Sequence, residues 1–154
     1  MSEINAPAQK SVAKARGKSR RMAMQAVYQW QMTGDSITGI KQQFFEDSNP
    51  AKVDIEYFSE LVSGVASNLN ELDSLLEKYM SRTIESVDTV ERAILRLASY
   101  EFVNRLDVPY RVVINEALEL AKVFGAQDSY KYVNGVLDSL APKLREFEVA
   151  ARKK

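Results

Sequence analysis

Hydrophobic positions recur at helical spacing through most of the chain. Between Asp54 and Met80, the residues Ile55, Phe58, Val62, Val65, Leu69, Leu72, Leu76 and Tyr79 follow one another at steps of 3 and 4. This heptad spacing keeps one apolar seam on one face of a helix. The other face carries Glu56, Ser63, Ser67, Asn70, Ser74 and Glu77, which suits water. The pattern predicts one helix roughly 40 Å long, at about 1.5 Å per residue, on which both halves of the chain can pack as on a spine. A self-associating coiled coil is the alternative use of the seam, although it barely reaches the roughly three or four heptads such an assembly needs.

The flanking segments also read as helices. Residues 1–15 have no apolar period and contain Pro7, so they are expected to be a disordered arm. Order is expected from about Lys18, with a first stripe of Met22, Ala26, Val27 and Trp30 closed by Thr33-Gly34. Asp35 is the expected cap of a short helix holding Ile37, Ile40, Phe44 and Phe45, which Ser48-Asn49-Pro50 ends. Asp88-Thr89-Val90-Glu91 has the spacing of a capping box. The helix it opens, Thr89 to Asn104, is apolar nearly all round, so other helices should wrap it and make it the centre of the C-terminal half. After Asp107-Val108-Pro109, a helix over Tyr110–Phe124 buries Ile114, Ala117, Leu118, Ala121 and Phe124, with Gly125 its left-handed stop. Asp128 is the expected cap of a last helix, with Val133, Val136, Leu137 and Leu140 inward until Pro142, and residues 146–154 form a charged tail. With no strand pattern of useful length, the fold class is all-α, about six or seven helices.

Composition narrows the chemistry. The 154 residues, 45% hydrophobic and 27% charged, fit one ordinary globular domain or two small halves sharing a core. The chain lacks both Cys and His. Disulfides, thiol and imidazole catalysis, and the usual zinc, haem and iron–sulfur sites are thereby excluded. The nucleotide-binding G-x-x-x-x-G-K-[ST] and G-x-G-x-x-G patterns and the G-x-S-x-G nucleophile elbow are also missing. Glu116 and Glu119 lie one turn apart, but without His they do not make a di-metal site and are better read as a solvated helix face. No run approaches the roughly 18 apolar residues of a membrane span, and the N-terminus has no signal-peptide core. The expectation is a cytoplasmic, non-enzymatic protein with no cofactor, no metal and no membrane partner.

Charge supplies the functional clue. The net charge is zero, yet residues 1–21 hold Lys10, Lys14, Arg16, Lys18, Arg20 and Arg21 against Glu3 alone, leaving a matching acidic surplus in the rest. Such asymmetry points to an anionic partner, nucleic acid or an acidic membrane surface, with a solubilising tail as the plainer account. If the first helix begins near Lys18, then Lys18, Arg20 and Arg21 sit at its N-terminus against the macrodipole, where a phosphate ligand would account for them. Downstream, Asp128-Ser129-Tyr130-Lys131-Tyr132-Val133-Asn134-Gly135 places aromatic, cationic and polar groups together at the start of a helix. Single-stranded RNA is recognised by this mixture: stacking on rings, hydrogen bonds to splayed bases and cations on phosphates. Tyr28, one turn inside the basic helix, could add a second ring. Packing alone would also explain each tyrosine taken singly.

Several of these stretches together resemble the NusB family of bacterial transcription antitermination factors. The likeness rests on Ala23-Met24-Gln25-Ala26-Val27-Tyr28-Gln29-Trp30 behind a basic arm, Val90-Glu91-Arg92-Ala93-Ile94-Leu95-Arg96, Asp107-Val108-Pro109-Tyr110-Arg111-Val112-Val113-Ile114-Asn115-Glu116-Ala117, and Lys131-Tyr132-Val133-Asn134-Gly135-Val136-Leu137-Asp138. It spans roughly residues 16–142 and implies a helical domain over about 16–145 with halves near 16–83 and 84–145. It further implies a non-catalytic role: binding single-stranded boxA-type RNA of ribosomal RNA transcripts together with a small-subunit ribosomal protein acting as NusE, within the RNA polymerase antitermination complex. Carried over by position, the RNA-facing residues are Arg16, Lys18, Arg20, Tyr28, Asp128, Lys131 and Tyr132, and Glu91 faces the protein partner. Here Gly17 and Ser19 interrupt the family's dense arginine run. Two other readings compete: the RNA-recognition domain of an rRNA cytosine methyltransferase, disfavoured by the missing cofactor-binding sheet and catalytic Cys, and a helical protein-binding scaffold or homodimer.

Overall fold

The apolar segment after Asp88 becomes the hub of the molecule. The computed structural model describes residues 6–153, with side chains described from 10 to 152. Eight α-helices are described: α1 (Ala6–Thr33), α2 (Ile37–Asp47), α3 (Ile55–Ser67), α4 (Leu69–Glu77), α5 (Thr89–Asn104), α6 (Tyr110–Phe124), α7 (Ser129–Leu144) and α8 (Glu146–Lys153), with one tight turn at Ile84–Ser86 between α4 and α5. No strand occurs among the described residues. Every residue of α5 from Ala93 to Phe102 is buried, and α1, α3, α4, α6 and α7 all pack on it. A helix apolar on all sides has to be enclosed this way. It is therefore the centre of both halves, and the buried residues from Ala23 to Val149 form one continuous core.

The spine is two helices rather than one. The chain leaves helical geometry at Asn68, whose backbone N–H and side-chain amide both donate to the Gly64 carbonyl, at 3.1 and 2.8 Å. Asn offers the backbone such a local alternative to continuing the helix. The seam outlives the break, since Phe58, Val62, Val65, Leu72 and Leu76 are all buried. Phe44 and Phe45 of α2 meet Phe58 with ring centroids 5.9 and 5.6 Å away.

Gly64 brings α3 and α5 close. A Cβ at this position would lie 2.1 Å from a ring carbon of Tyr100, whose hydroxyl donates to Glu60 at 2.9 Å and so holds the ring in place. Alanine in a helix is ordinarily favoured over glycine by about 1 kcal/mol. Here Gly64→Ala is expected to destabilise instead, by about 1–3 kcal/mol, the cost of overpacking. Chemical denaturation checks the sign.

Helix ends follow the expected chemistry with local corrections. Gly34, at φ +70°, stops α1 in the left-handed conformation that glycine tolerates. Ser36, not Asp35, caps α2, its Oγ accepting from the Gly39 N–H. Asp88 caps α5 by accepting from the Val90 and Glu91 N–H groups. Gly125 does not have a positive φ; a Cβ there would lie 2.7 Å from the Ala121 oxygen and 2.8 Å from Ser129 Cβ, so it is a close-approach glycine. Asp128 stands at the N-cap of α7 without a side-chain cap bond, and α7 runs past Pro142 to Leu144.

Both expected tails are corrected. Residues 1–5 of the expected arm lie outside the described residues, but residues 6–15 belong to α1. Ala, Gln, Lys and Arg supply high helix propensity there, and Pro7 falls in the first turn, where it is tolerated. The expected tail from residue 146 forms α8, with Val149 buried. Arg145, at its start, is buried and donates to the carbonyls of Phe102, Val108, Glu101 and Arg105 and to Glu148. Through it the C-terminal segment closes the end of α5.

Candidate nucleic-acid interface

One helix separates the basic residues into two groups. Because α1 begins at Ala6, Lys18, Arg20 and Arg21 lie about three turns inside it, away from the terminus where the macrodipole would oppose them. At 3.6 residues per turn, Arg16 and Arg20 fall on the core side, while Lys14, Lys18, Arg21, Gln25 and Tyr28, at steps of 4, 3, 4 and 3, share the opposite face.

The core-side arginines are already engaged. Arg20, 5% exposed, makes a two-pronged pair with Glu101 of α5 at 2.9–3.0 Å and reaches Glu116 of α6 at 3.2 Å. Burial alone would lower its pKa, but the hydrogen bonds and charge of Glu101 more than offset that and hold it above the ordinary value. The Tyr57 hydroxyl also donates to Glu101, and burial, followed by the charge of Glu101, pushes the phenol well above its usual range. Arg16, Arg20 and Arg105 surround the Tyr57 ring at 4.5, 5.5 and 4.9 Å. Arg16 further pairs with Asp107 at 3.4 Å. Arg105 donates to Asp107 and holds its carboxyl down at about 2. Arg20 is thus an interior ion-pair residue rather than one open to RNA, and the Arg16 guanidinium lies against Tyr57 and Asp107 with its Nε enclosed and unpartnered. The interrupted arginine run has the same cause: Ser19 is fully buried with its hydroxyl donating to the Asp54 carbonyl at 2.7 Å, and a Cβ at Gly17 would meet Glu116 at 3.3 Å.

The outward face leads to the corner between α6 and α7. Lys14 and Arg21 are exposed, whereas Lys18, Gln25 and Tyr28 are half-buried. The Arg21 guanidinium lies 5.8 Å from the centroid of Phe124, at the end of α6, which joins the stripe to the corner. Beyond it, Lys122 stands over Tyr130 at 5.4 Å, and the exposed Asp128 and Lys131 pair at 3.5 Å. Tyr132 is half-buried, its hydroxyl enclosed without a hydrogen-bond partner, and Arg82 from the segment between α4 and the turn stands over its ring at 4.7 Å. Three rings on α6 and α7 therefore each carry a cation, with Tyr130 and Tyr132 about 200° apart around α7. Glu91, which the resemblance assigns to the protein partner, is 8% exposed, since α5 is wrapped even at its start.

Lys122 and Arg82 are not singled out by the sequence, and Arg21 is marked there only as part of the basic run; heptad counting from Lys18 and Tyr28 places Arg21 on the outer face, and nothing local marks Arg82.

The sequence model of the NusB family matches residues 17–142. The chain belongs to the NusB family. Among its relatives, the transcription antitermination protein NusB of Pseudomonas savastanoi pv. phaseolicola is 52% identical over 151 residues, covering 94% of this chain and 92% of that protein. The protein of the same description from Photorhabdus laumondii is 53% identical over 131 residues, covering 85% and 95%. Among solved structures, NusB of T. maritima superposes with a TM-score of 0.74 at 30% identity, covering 83% of this chain and 91% of that one. A crystal structure described as antitermination factors NusB and NusE in complex with dsRNA gives 0.71 at 28% identity, covering 82% and 96%. The match with the NusB family contains all of α2 to α6 and most of α1 and α7, so the stripe from Lys18 onward and the rings of Phe124, Tyr130 and Tyr132 lie within it.

Proposed function

We propose that this chain is an RNA-binding transcription antitermination factor, taking single-stranded boxA-type RNA of ribosomal RNA transcripts together with NusE, the small-subunit ribosomal protein, in the antitermination complex of RNA polymerase. The observation that carries the reading is the run of cations on the outer face of α1 that reaches Phe124 through Arg21, beside the cation-bearing ring of Tyr130 at the start of α7. Cations on phosphates give salt-sensitive affinity with little sequence information. Rings and polar groups of the folded surface supply the choice of bases. A solved relative described with NusE and RNA supports the pairing of partners. With only a few cations to neutralise phosphates, affinity for RNA alone is modest, and a second protein bound to the same strand raises it by joint engagement.

The test is fluorescence anisotropy with boxA-like and scrambled single strands, with and without NusE. Wild-type protein should prefer the boxA-like strand, the more so with NusE. Tyr132→Ala should narrow that preference by roughly tenfold, within the range of about 1–3 kcal/mol for one stacked base. Equal losses on both strands would remove Tyr132 from the reading surface. Indistinguishable binding of the two strands by wild-type protein would defeat the proposed specificity.

A further inference from the structure

We infer that Arg82 is a base-stacking residue of the RNA surface, a guanidinium layer set on the Tyr132 ring against which a splayed base packs. The inference rests on the RNA reading given above and assigns a part to a segment outside α1 and α7. Three observations carry it. First, the Arg82 guanidinium lies 4.7 Å from the Tyr132 centroid, within the range of a cation–π contact. Second, Arg82 is exposed and makes no ion pair among the described residues, whereas Arg16, Arg20, Arg96, Arg105 and Arg145 are each held by carboxylates. Third, the Tyr132 hydroxyl is enclosed and unpartnered, so its polar end is not offered to a ligand and the ring serves as a support.

The segment carrying Arg82 is anchored. Ile84 and Val87 are buried, the Ile84 N–H donates to Glu77 at 2.8 Å, and Arg92 of α5 donates to the carbonyls of Glu85 and Val87 at 3.2 and 3.1 Å. Arg82 therefore starts from a fixed base two residues before Ile84 and needs only side-chain motion to meet a ligand. Guanidinium planes stack on nucleobases as aromatic rings do. A lysine at this position would keep the charge and lose the plane.

The test measures binding of a boxA-like single strand to wild-type protein, Arg82→Ala, Arg82→Lys, Tyr132→Ala and the Arg82→Ala/Tyr132→Ala pair, with thermal melts to establish folding. Arg82→Ala and Arg82→Lys should each weaken binding about tenfold, the loss of one stacked base. Arg82→Ala should add less than about twofold once Tyr132 is alanine, because the two residues act as one stack. Wild-type affinity in either Arg82 variant, or full additivity of the pair, would overturn the inference while leaving the RNA reading intact. Failure of the wild-type protein to bind RNA at all would instead overturn the RNA reading, and this inference with it.

Discussion

Arg20→Ala is expected to cost about 3–5 kcal/mol of unfolding free energy, the usual penalty for removing one partner of a buried ion pair. The substitution leaves Glu101, whose side chain is 3% exposed, without its two-pronged partner, and it strips Glu116 of the contact that ties α6 to α1. What remains on Glu101 is the Tyr57 hydroxyl, a neutral donor. Urea denaturation at neutral pH measures the loss. A neutral-pH loss below about 1 kcal/mol, typical of an exposed pair, would mean that Arg20 is not the interior clamp described.

Arg145→Ala should be comparably severe, again about 3–5 kcal/mol, because a buried charge and the groups it satisfied are uncoupled together. Four main-chain carbonyls, those of Glu101, Phe102, Arg105 and Val108, accept from this one guanidinium. They belong to the last turn of α5 and the loop that follows, where main-chain donors run short; those of Glu101 and Arg105 also accept from the Arg105 and Val108 N–H groups. Glu148 links the same site to the start of α6 by accepting from the Tyr110 N–H at 2.7 Å. Loss of Arg145 should therefore raise hydrogen exchange in the α5–α6 loop and α8 ahead of the rest. Arg145→Lys should recover little, since an ammonium cannot span four acceptors arranged for a planar fork. Near wild-type stability in Arg145→Lys would show that charge alone suffices there.

Elements with local causes were legible in the sequence. The apolar run of α5, the stop at Gly34 and the cap at Asp88 each announce themselves within a few residues, and the structure has them. The spine failed at Asn68 because a single side chain competing for the Gly64 carbonyl does not disturb a heptad count that continues on both sides. The start of α1 is hidden in the sequence because Pro7 and the missing apolar period mask the helix formers that follow. The division of the cations was invisible for a different reason. Arg20 is fixed by carboxylates 81 and 96 positions away, and Arg145 by carbonyls about 40 positions back, so only the packed tertiary structure reveals that they are interior. A basic run read in one dimension looks like one patch; wound on α1 it becomes a clamp on one side and an open stripe on the other.

The direct test of that division is the salt dependence of RNA binding, measured as log K against log salt for wild-type protein, Lys18→Ala/Arg21→Ala and Arg16→Ala. Each lost phosphate contact on a single strand makes the negative slope shallower by about 0.7, so the double variant should be about 1.4 shallower than wild type and Arg16→Ala should keep the wild-type slope. A slope unchanged in the double variant but reduced in Arg16→Ala would place the RNA on the opposite side of α1 and contradict the account.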